Sequence, residues 1–410
     1  MPPEASSQPE PARVPRKQRL RPDRELLGRV LDSGGEDLRK CMQCATCSSV
    51  CEILDGGSPG PRKEMLWAQW GLGDRLTSDP NLWLCHQCGD CTLRCPRGAR
   101  PGDVMAALRR ECIVHYSSPR AFGRWANRPA SWAWMLLGAL GVLLGAAALW
   151  QLSGAASVEL ALTGKRAVFP FWTRLPHGLL GSVFGALLAF DVLVLVRGAH
   201  RFWRAMMAAH GQAPGQGNRP LGPSLRAALS RIFFHDDFAA CSASQARRLH
   251  HLLVVFGMLA LWLTSLWAVT ARWNPLLDGL VYPLGFGNPW KLMANLGGIS
   301  LVLGSSLMLW ERWRRPQTAG APTHSDWLLL GLLLLIALSG FASEGLHWLR
   351  IEPLRFVAYA AHLVLIFVLI WMLPYSKLAH VVYRTVAMTF AEYTGRRGFK
   401  RSQSEGEGKP

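Results

Sequence analysis

Residues 41–51 read C-M-Q-C-A-T-C-S-S-V-C, and residues 85–96 read C-H-Q-C-G-D-C-T-L-R-C-P. Each stretch is C-x2-C-x2-C-x3-C. Two-residue spacing lets three thiolates converge on one cubane while the backbone between them offers N–H groups to its sulfides. The fourth cysteine, three residues further on and entering a helix, points toward the neighbouring cluster. The spacing therefore predicts two [4Fe-4S] clusters with crossed ligands: Cys41, Cys44, Cys47 and Cys95 for one, and Cys85, Cys88, Cys91 and Cys51 for the other. Zinc is the competing reading. It fits less well, because zinc sites take their thiolates as separated pairs across a longer gap. Cys51 is followed by Glu52 where the second motif has Pro96, a departure of small weight because proline is not a ligand. Cys112 and Cys241 stand alone and read as incidental thiols.

Outward from the motifs, composition decides the rest. Ten cysteines among 410 residues are too sparse for a disulfide scaffold. Half of the residues are hydrophobic and come in runs. Six runs approach the ~20 residues a helix needs to cross a bilayer: Trp132–Leu152, Leu175–Val196, Leu249–Ala271, Lys291–Trp310, Asp326–Ser343 and Phe356–Pro374. The formal charge of +18 lies between them. The loop 197–248 holds eight Arg, the loop 311–325 three, and the tail 377–410 seven Lys or Arg. The opposite side carries only Lys165, Arg166, Arg174, Arg272, Arg350 and Arg355. By the positive-inside rule both termini and the long middle loop are cytoplasmic. A basic balance also suits nucleic acid, but no nucleic-acid motif is present and topology accounts for the charge, so no nucleic-acid partner is expected.

The expected fold class is mainly α: a cytoplasmic, helical, ferredoxin-like domain with two [4Fe-4S] clusters, then a six-helix transmembrane cytochrome b bundle. Residues 1–24, rich in Pro and Arg, read as a disordered basic arm without the apolar core of a signal peptide. The cluster domain covers 25–120, with helix-like spacing over Glu25–Leu31 and Asp103–Val114. Residues 121–131 read as a basic juxtamembrane linker, 132–390 as the membrane haem b domain, and 391–410 as a disordered basic tail.

Ionisable residues inside a bilayer span are functional candidates, and paired imidazoles on facing helices suggest haem b. Depth sorts the histidines into two pairs, one below each surface. His251 with His380 lies near the cytoplasmic face, with His250 as the alternate to His251; His177 with His362 lies near the outer face. Because 362 to 380 spans five helical turns, the two rings are expected on one helix face about 27 Å apart. Arg247, Arg248, Lys377 and Arg384 read as topology anchors or as neutralisers of haem propionates. His200, His210, His235 and His324, on cytoplasmic loops, read as interfacial residues bonded to backbone or headgroups. For quinone chemistry, which must exchange protons, the candidates are Glu344 and His347 at the outer end of span five, favoured here, and Asp191 in span two. Pairing with Arg197 is the plainer account of Asp191.

The cysteine motifs resemble the C-type iron-sulfur protein of heterodisulfide reductase. Arg248 to Arg384, with H-H-L-L-V-V-F-G in one helix and His362 and His380 further on, is similar to the membrane cytochromes b of respiratory nitrate reductase and of the E-type heterodisulfide reductase component. In the nitrate reductase pattern a second His follows ten residues after the first; Ala260 or Leu261 stands there in this sequence, and His177 is the substitute. The fusion of head and tail covers nearly the whole chain and resembles the C-type membrane component of the quinone-interacting membrane-bound oxidoreductase complex. That resemblance implies a bacterial cytoplasmic membrane protein with haem b, quinone as substrate, and flavin and iron-sulfur partner subunits linked to adenylylsulfate reductase in dissimilatory sulfur metabolism. The alternative is the membrane anchor of a heterodisulfide-type or sulfite-type reductase. No flavin or nucleotide motif is present, so catalysis on the cytoplasmic side belongs to a partner.

Overall fold

The computed structural model describes residues 21–51, 53, 60–153, 177–210, 219–235, 245–273, 284–314 and 323–396. Most of the expected basic arm, most of the tail, and Cys241 lie outside these residues. Among the described residues there is no strand.

The head contains α1 (Arg24–Val30), α2 (Thr46–Ser49), α3 (Arg62–Gln69), α4 (Gly73–Thr77), α5 (Asn81–Leu84), α6 (Asp90–Leu93) and α7 (Pro101–Tyr116). Asp23 caps α1 by accepting from the Glu25 and Leu26 amides at 2.9 and 3.1 Å. Pro101 opens α7, where its missing N–H costs nothing. The segment read as a linker holds a further helix, α8 (Arg120–Ala126), whose Gly123 lies against Ser117 and Tyr375.

Six long helices follow: α9 (Ser131–Leu152), α10 (His177–Ala209), α12 (Gln245–Trp273), α13 (Pro289–Arg314), α14 (His324–Trp348) and α15 (Leu354–Met372), with α11 (Leu221–Phe234) between the second and third. All six are long and apolar enough to cross a membrane. The most intimate pair is α12 and α13. A Cβ on Gly257 would sit 2.8 Å from the Gly297 carbonyl oxygen, and one on Gly304 would sit 2.8 Å from the Val254 nitrogen. Glycine at these positions lets the two backbones approach, which replaces the missing hydrophobic drive between helices in lipid.

Two expectations fail. Residues 197–248 are not simply a loop: α10 continues to Ala209, and α11 adds a second helical piece. Nor do His362 and His380 share a helix. Proline in a helix interior removes a hydrogen bond and clashes with the preceding turn. At Pro374 the chain turns, with the Tyr375 and Ser376 amides donating to the Met372 carbonyl at 3.1 and 2.9 Å. The last helix, α16 (His380–Tyr393), begins at the histidine itself.

The head is not a tethered appendage. One buried core runs from Leu38, Trp83, Met105 and Leu108 in the head to Phe202 and Met206 of α10 and to Tyr383, Ala387 and Phe390 of α16. Charge fixes the same junction. Asp326, at the start of α14, lies 3.0 Å from Lys377, 3.5 Å from Arg312 at the end of α13 and 3.9 Å from Arg110 of the head. A buried carboxylate shared by three cations from three segments sets the register of head and bundle.

Candidate functional site

The two cysteine loops have the same backbone. Gln43 and Gln87 stand at φ 60° and 61°, and Ala45 and Gly89 at 69° and 97°. These left-handed residues turn the chain tightly enough to bring successive cysteines to one side and aim backbone N–H groups inward. Each loop ends in a one-turn helix, α2 or α6, that carries the third cysteine. The fourth, Cys51 or Cys95, leaves that helix instead of entering one.

The structure brings the thiols together in two sets. Cys41, Cys44, Cys47 and Cys95 line one cavity together with Arg62, Arg97 and Pro101. Burial, reinforced by Cys41, Cys44 and Cys95, pushes the Cys47 thiol up to about 11. Burial also raises Cys91, where the neighbouring sulfurs are those of Cys85, Cys88 and Cys51, with Cys47 beyond. Donors face the sulfurs: the Ala99 amide donates to Cys95 Sγ and the Gln43 side-chain amide to Cys41 Sγ, each at 3.4 Å. Four mutually repelling sulfurs with N–H donors around them fit a cationic iron-sulfide core, which removes the repulsion by binding thiolates.

The second loop is held by both histidine-bearing helices. Arg247 donates to the Gln87 carbonyl at 2.9 Å. Arg384 donates to the carbonyls of Trp83 at 3.1 Å and Cys85 at 3.4 Å. Arg247 stands four residues before His251 and Arg384 four residues after His380, a spacing that keeps each pair on one helix face. Trp83 stacks on Tyr383 of α16 at 5.2 Å.

His251 and His380 lie within electrostatic reach of each other. His380 Nδ1 donates to the Lys377 carbonyl at 2.5 Å, which leaves Nε2 as its ligating atom. Burial lowers its proton affinity to about 4, so the ring is held in the neutral form that metals bind. His250 is engaged elsewhere, 3.1 Å from Glu311. Sequence reasoning missed a third ring: His235, at the end of α11, is buried and places Nε2 2.9 Å from His251 Nδ1. The helical spacing of Leu221–Phe234, ending on a histidine, is the signal that could have found it. On α15, His362 Nδ1 bonds Ser339 Oγ of α14 at 2.9 Å. A Cβ on Gly340 would come within 3.2 Å of that ring, so glycine leaves it room. His177 is the first residue of α10, and its side chain lies outside the described structure. The donor set fits a bis-imidazole haem at His251 and His380, whereas at His362 one imidazole of the expected pair is described.

The carboxylates divide sharply. Glu344 is ion-paired with Lys291 at 2.8 Å, and the Asn295 amide lies 3.4 Å away. The neighbouring His347 packs beside Trp348. Asp191 is 1% exposed, and neither carboxylate oxygen has a hydrogen-bond partner. The Arg197 pair expected from sequence does not form. Tyr375, close enough to sense the Asp191 charge, is raised to about 12, chiefly by burial.

Residues 37–99 match the 4Fe-4S dicluster domain family, and residues 124–400 match the citrate utilization protein B family. Citrate utilization protein B of Escherichia coli is 26% identical over 379 residues, 88% of this chain and 92% of that protein. A protein of Archaeoglobus profundus that is like the C-type component of heterodisulfide reductase is 38% identical over 89 residues, 22% of this chain. The C-type component of the H(2):CoB-CoM heterodisulfide,ferredoxin reductase of Methanothermobacter marburgensis is 37% identical over 89 residues, also 22%. The chain spans 47% and 48% of those two proteins' lengths. No solved structure matches. The head is thus that of a C-type heterodisulfide reductase-like iron-sulfur electron-transfer protein, joined to a multi-pass membrane region.

Proposed function

The chain belongs to the citrate utilization protein B family, and on that premise we propose that it exchanges electrons between a membrane quinone pool and a soluble flavin- or iron-sulfur-bearing partner. Two [4Fe-4S] clusters and haem b, when bound, supply one-electron carriage across the junction. The observation that carries this reading is the pair of arginine clamps. The helices bearing His251 and His380 each hold the second cysteine loop through an arginine one turn away. The first loop opens to solvent, with Met42 64% exposed and Arg62 and Arg97 lining its mouth. Electrons would then have a solvent-facing contact at the cluster held by Cys41–Cys47 and an inner one at the cluster held by Cys85–Cys91, on the side of the helices that carry His251 and His380. A second haem would be held by His362 together with His177.

Quinone reduction or oxidation needs a group that takes and returns protons inside the bilayer. Glu344 shares its charge with Lys291. Asp191 is buried with both oxygens unpartnered, and an unpaired carboxyl in that setting is the group left to accept and pass on a proton. Asp191 is therefore the proton-carrying side chain in this reading, displacing Glu344 and His347. As for the soluble partner, the relative that matches head and membrane region together is named for citrate utilization. A partner acting on a citrate-like polycarboxylate is favoured on that ground over adenylylsulfate reductase or a heterodisulfide-type or sulfite-type enzyme, the readings drawn from the resemblance.

The test is an anaerobic optical and EPR redox titration of the purified protein. Two [4Fe-4S] clusters and haem b are expected, and His251→Ala and His380→Ala should each remove the same haem absorbance while both clusters remain. A wild-type protein with clusters and no haem would overturn the haem assignment. Quinol-driven haem reduction should slow on the order of 100-fold in Asp191→Asn, the scale of general acid–base catalysis. It should be near normal in Glu344→Gln; the reverse result would return the site to the outer face.

A further inference from the structure

His235 is strained, buried and has no part in the electron path just described. It closes α11 in the left-handed region, at φ 55°, uncommon for a residue other than glycine and a sign that the surroundings hold it there. Two contacts tie this turn to α12. Arg248 donates to the Phe234 carbonyl at 3.1 Å, and the Phe233 ring packs edge-on against Phe256 at 5.3 Å. The histidine is 7% exposed.

Its hydrogen bonds read in one direction only. His235 Nδ1 lies 3.2 Å from the Phe233 carbonyl, which can only accept, so Nδ1 carries the hydrogen. In the neutral ring Nε2 is then an acceptor. It lies 2.9 Å from His251 Nδ1, which must donate. The proton of His251 is thereby placed on Nδ1 and its lone pair on Nε2, as at His380, where Nδ1 is held by the Lys377 carbonyl. A backbone carbonyl does this work for one ring and a third imidazole does it for the other. Partners on the far nitrogen of a ligating histidine fix its tautomer and orientation and raise its basicity.

We propose that His235 is a positioning residue for the haem-binding face of His251, which it holds through the chain Phe233 carbonyl, His235, His251. This rests on the haem reading of His251 and His380. It adds a residue from the middle segment, outside the paired helices, to the set that determines haem affinity and potential.

Three variants of the full-length protein in detergent decide it, read by haem per chain, haem affinity on reconstitution, the g-values of the low-spin ferric haem, and its midpoint potential. His235→Gly keeps the left-handed backbone without strain and removes the ring. Haem affinity should fall 10–100-fold, the usual cost of losing such a partner. The g-values should shift, and the potential should rise because the less basic ligand favours ferric iron less. His235→Gln, whose side-chain carbonyl can still accept from His251 Nδ1, should recover most of the wild-type values. Unchanged affinity, g-values and potential in His235→Gly would overturn the proposal, as would a Gln variant no better than Gly. His251→Ala runs alongside. If it keeps its haem, the haem reading fails and takes the proposal with it; if it loses haem while His235→Gly behaves as wild type, only the role of His235 is wrong.

Discussion

The two cysteine loops share spacing and backbone angles, yet they differ in almost everything around them. The first has an exposed Cys44, a 64% exposed Met42 and the exposed side chains of Arg62 and Arg97 at its mouth. The second follows the fully buried α5 and is pinned by Arg247 and Arg384 to the helices that carry His251 and His380. One structural unit used twice thus acquires two faces, one toward solvent and one toward the helices that carry His251 and His380. The lesson is that direction in this molecule comes from what packs on each loop, since the loops themselves are nearly interchangeable.

The largest expected effect breaks the equivalence at its root. If the fourth cysteines cross, Cys95→Ser should remove the EPR signal of the cluster at Cys41, Cys44 and Cys47, and Cys51→Ser that of the cluster at Cys85, Cys88 and Cys91. Each variant should keep close to one intact cluster per chain by iron and sulfide analysis. Damage confined to the variant's own loop would show that each motif supplies its own four ligands, and the loops would then be independent.

Much of the fold is legible in the sequence because hydropathy and cysteine spacing act locally. Each of the six apolar runs overlaps one observed span, because span length is set by the bilayer and not by tertiary detail. The loop geometry follows from C-x2-C-x2-C. What escapes the sequence depends on contacts between distant segments. Arg247 and Arg384 read equally well as topology anchors, and only packing shows them bonded to residues 83–87, some 160 and 301 positions away. His235 reads as a loop residue unless the helical period of residues 221–234 is followed to its end. Pro374 is a visible stop, and a helical period carried across it to His380 ignores the ring's clash with the preceding turn.

An intermediate effect sharpens the contrast between the loops. Arg384→Leu removes two hydrogen bonds from a charged donor to the second loop, each worth about 1.5–3 kcal/mol, while the first loop is untouched. Hydrogen exchange should rise at residues 83–88 and not at 41–47. After reduction of the clusters, the haem should be reduced about tenfold more slowly in stopped-flow spectra with both clusters present, the equivalent of about 1.4 kcal/mol. Arg97→Glu is the mirror experiment. It should leave that internal step alone and change only exchange with soluble redox partners. Equal effects of the two substitutions on the internal step would erase the distinction between the faces.

The smallest effect lies in the spacer that separates the loops. Glu64 of α3 is fully buried, accepts from the Asn81 side-chain amide of α5 at 3.1 Å and lies 3.5 Å from Lys63, whose closer partner is Asp79 at 2.7 Å. Burial, then the Asp79 charge, raises its carboxyl from the usual 4.5 to about 7. Between those values the folded head holds a proton that the unfolded chain has lost. The stability this confers is complete below about 4.5, declines as pH rises, and is gone above about 7. Glu64→Gln keeps an acceptor for Asn81 and removes the titration. Its thermal midpoint should therefore be flatter than wild type from about pH 5 to 8, and at about pH 8 the variant should be more stable by on the order of 1 kcal/mol. Because α3 and α5 join the first loop to the second, the gain should appear as slower loss of both clusters on heating at that pH. A variant less stable than wild type there would mean that the ionised Glu64 is needed by Lys63, and that the spacer is held by charge where the burial argument has Glu64 protonated.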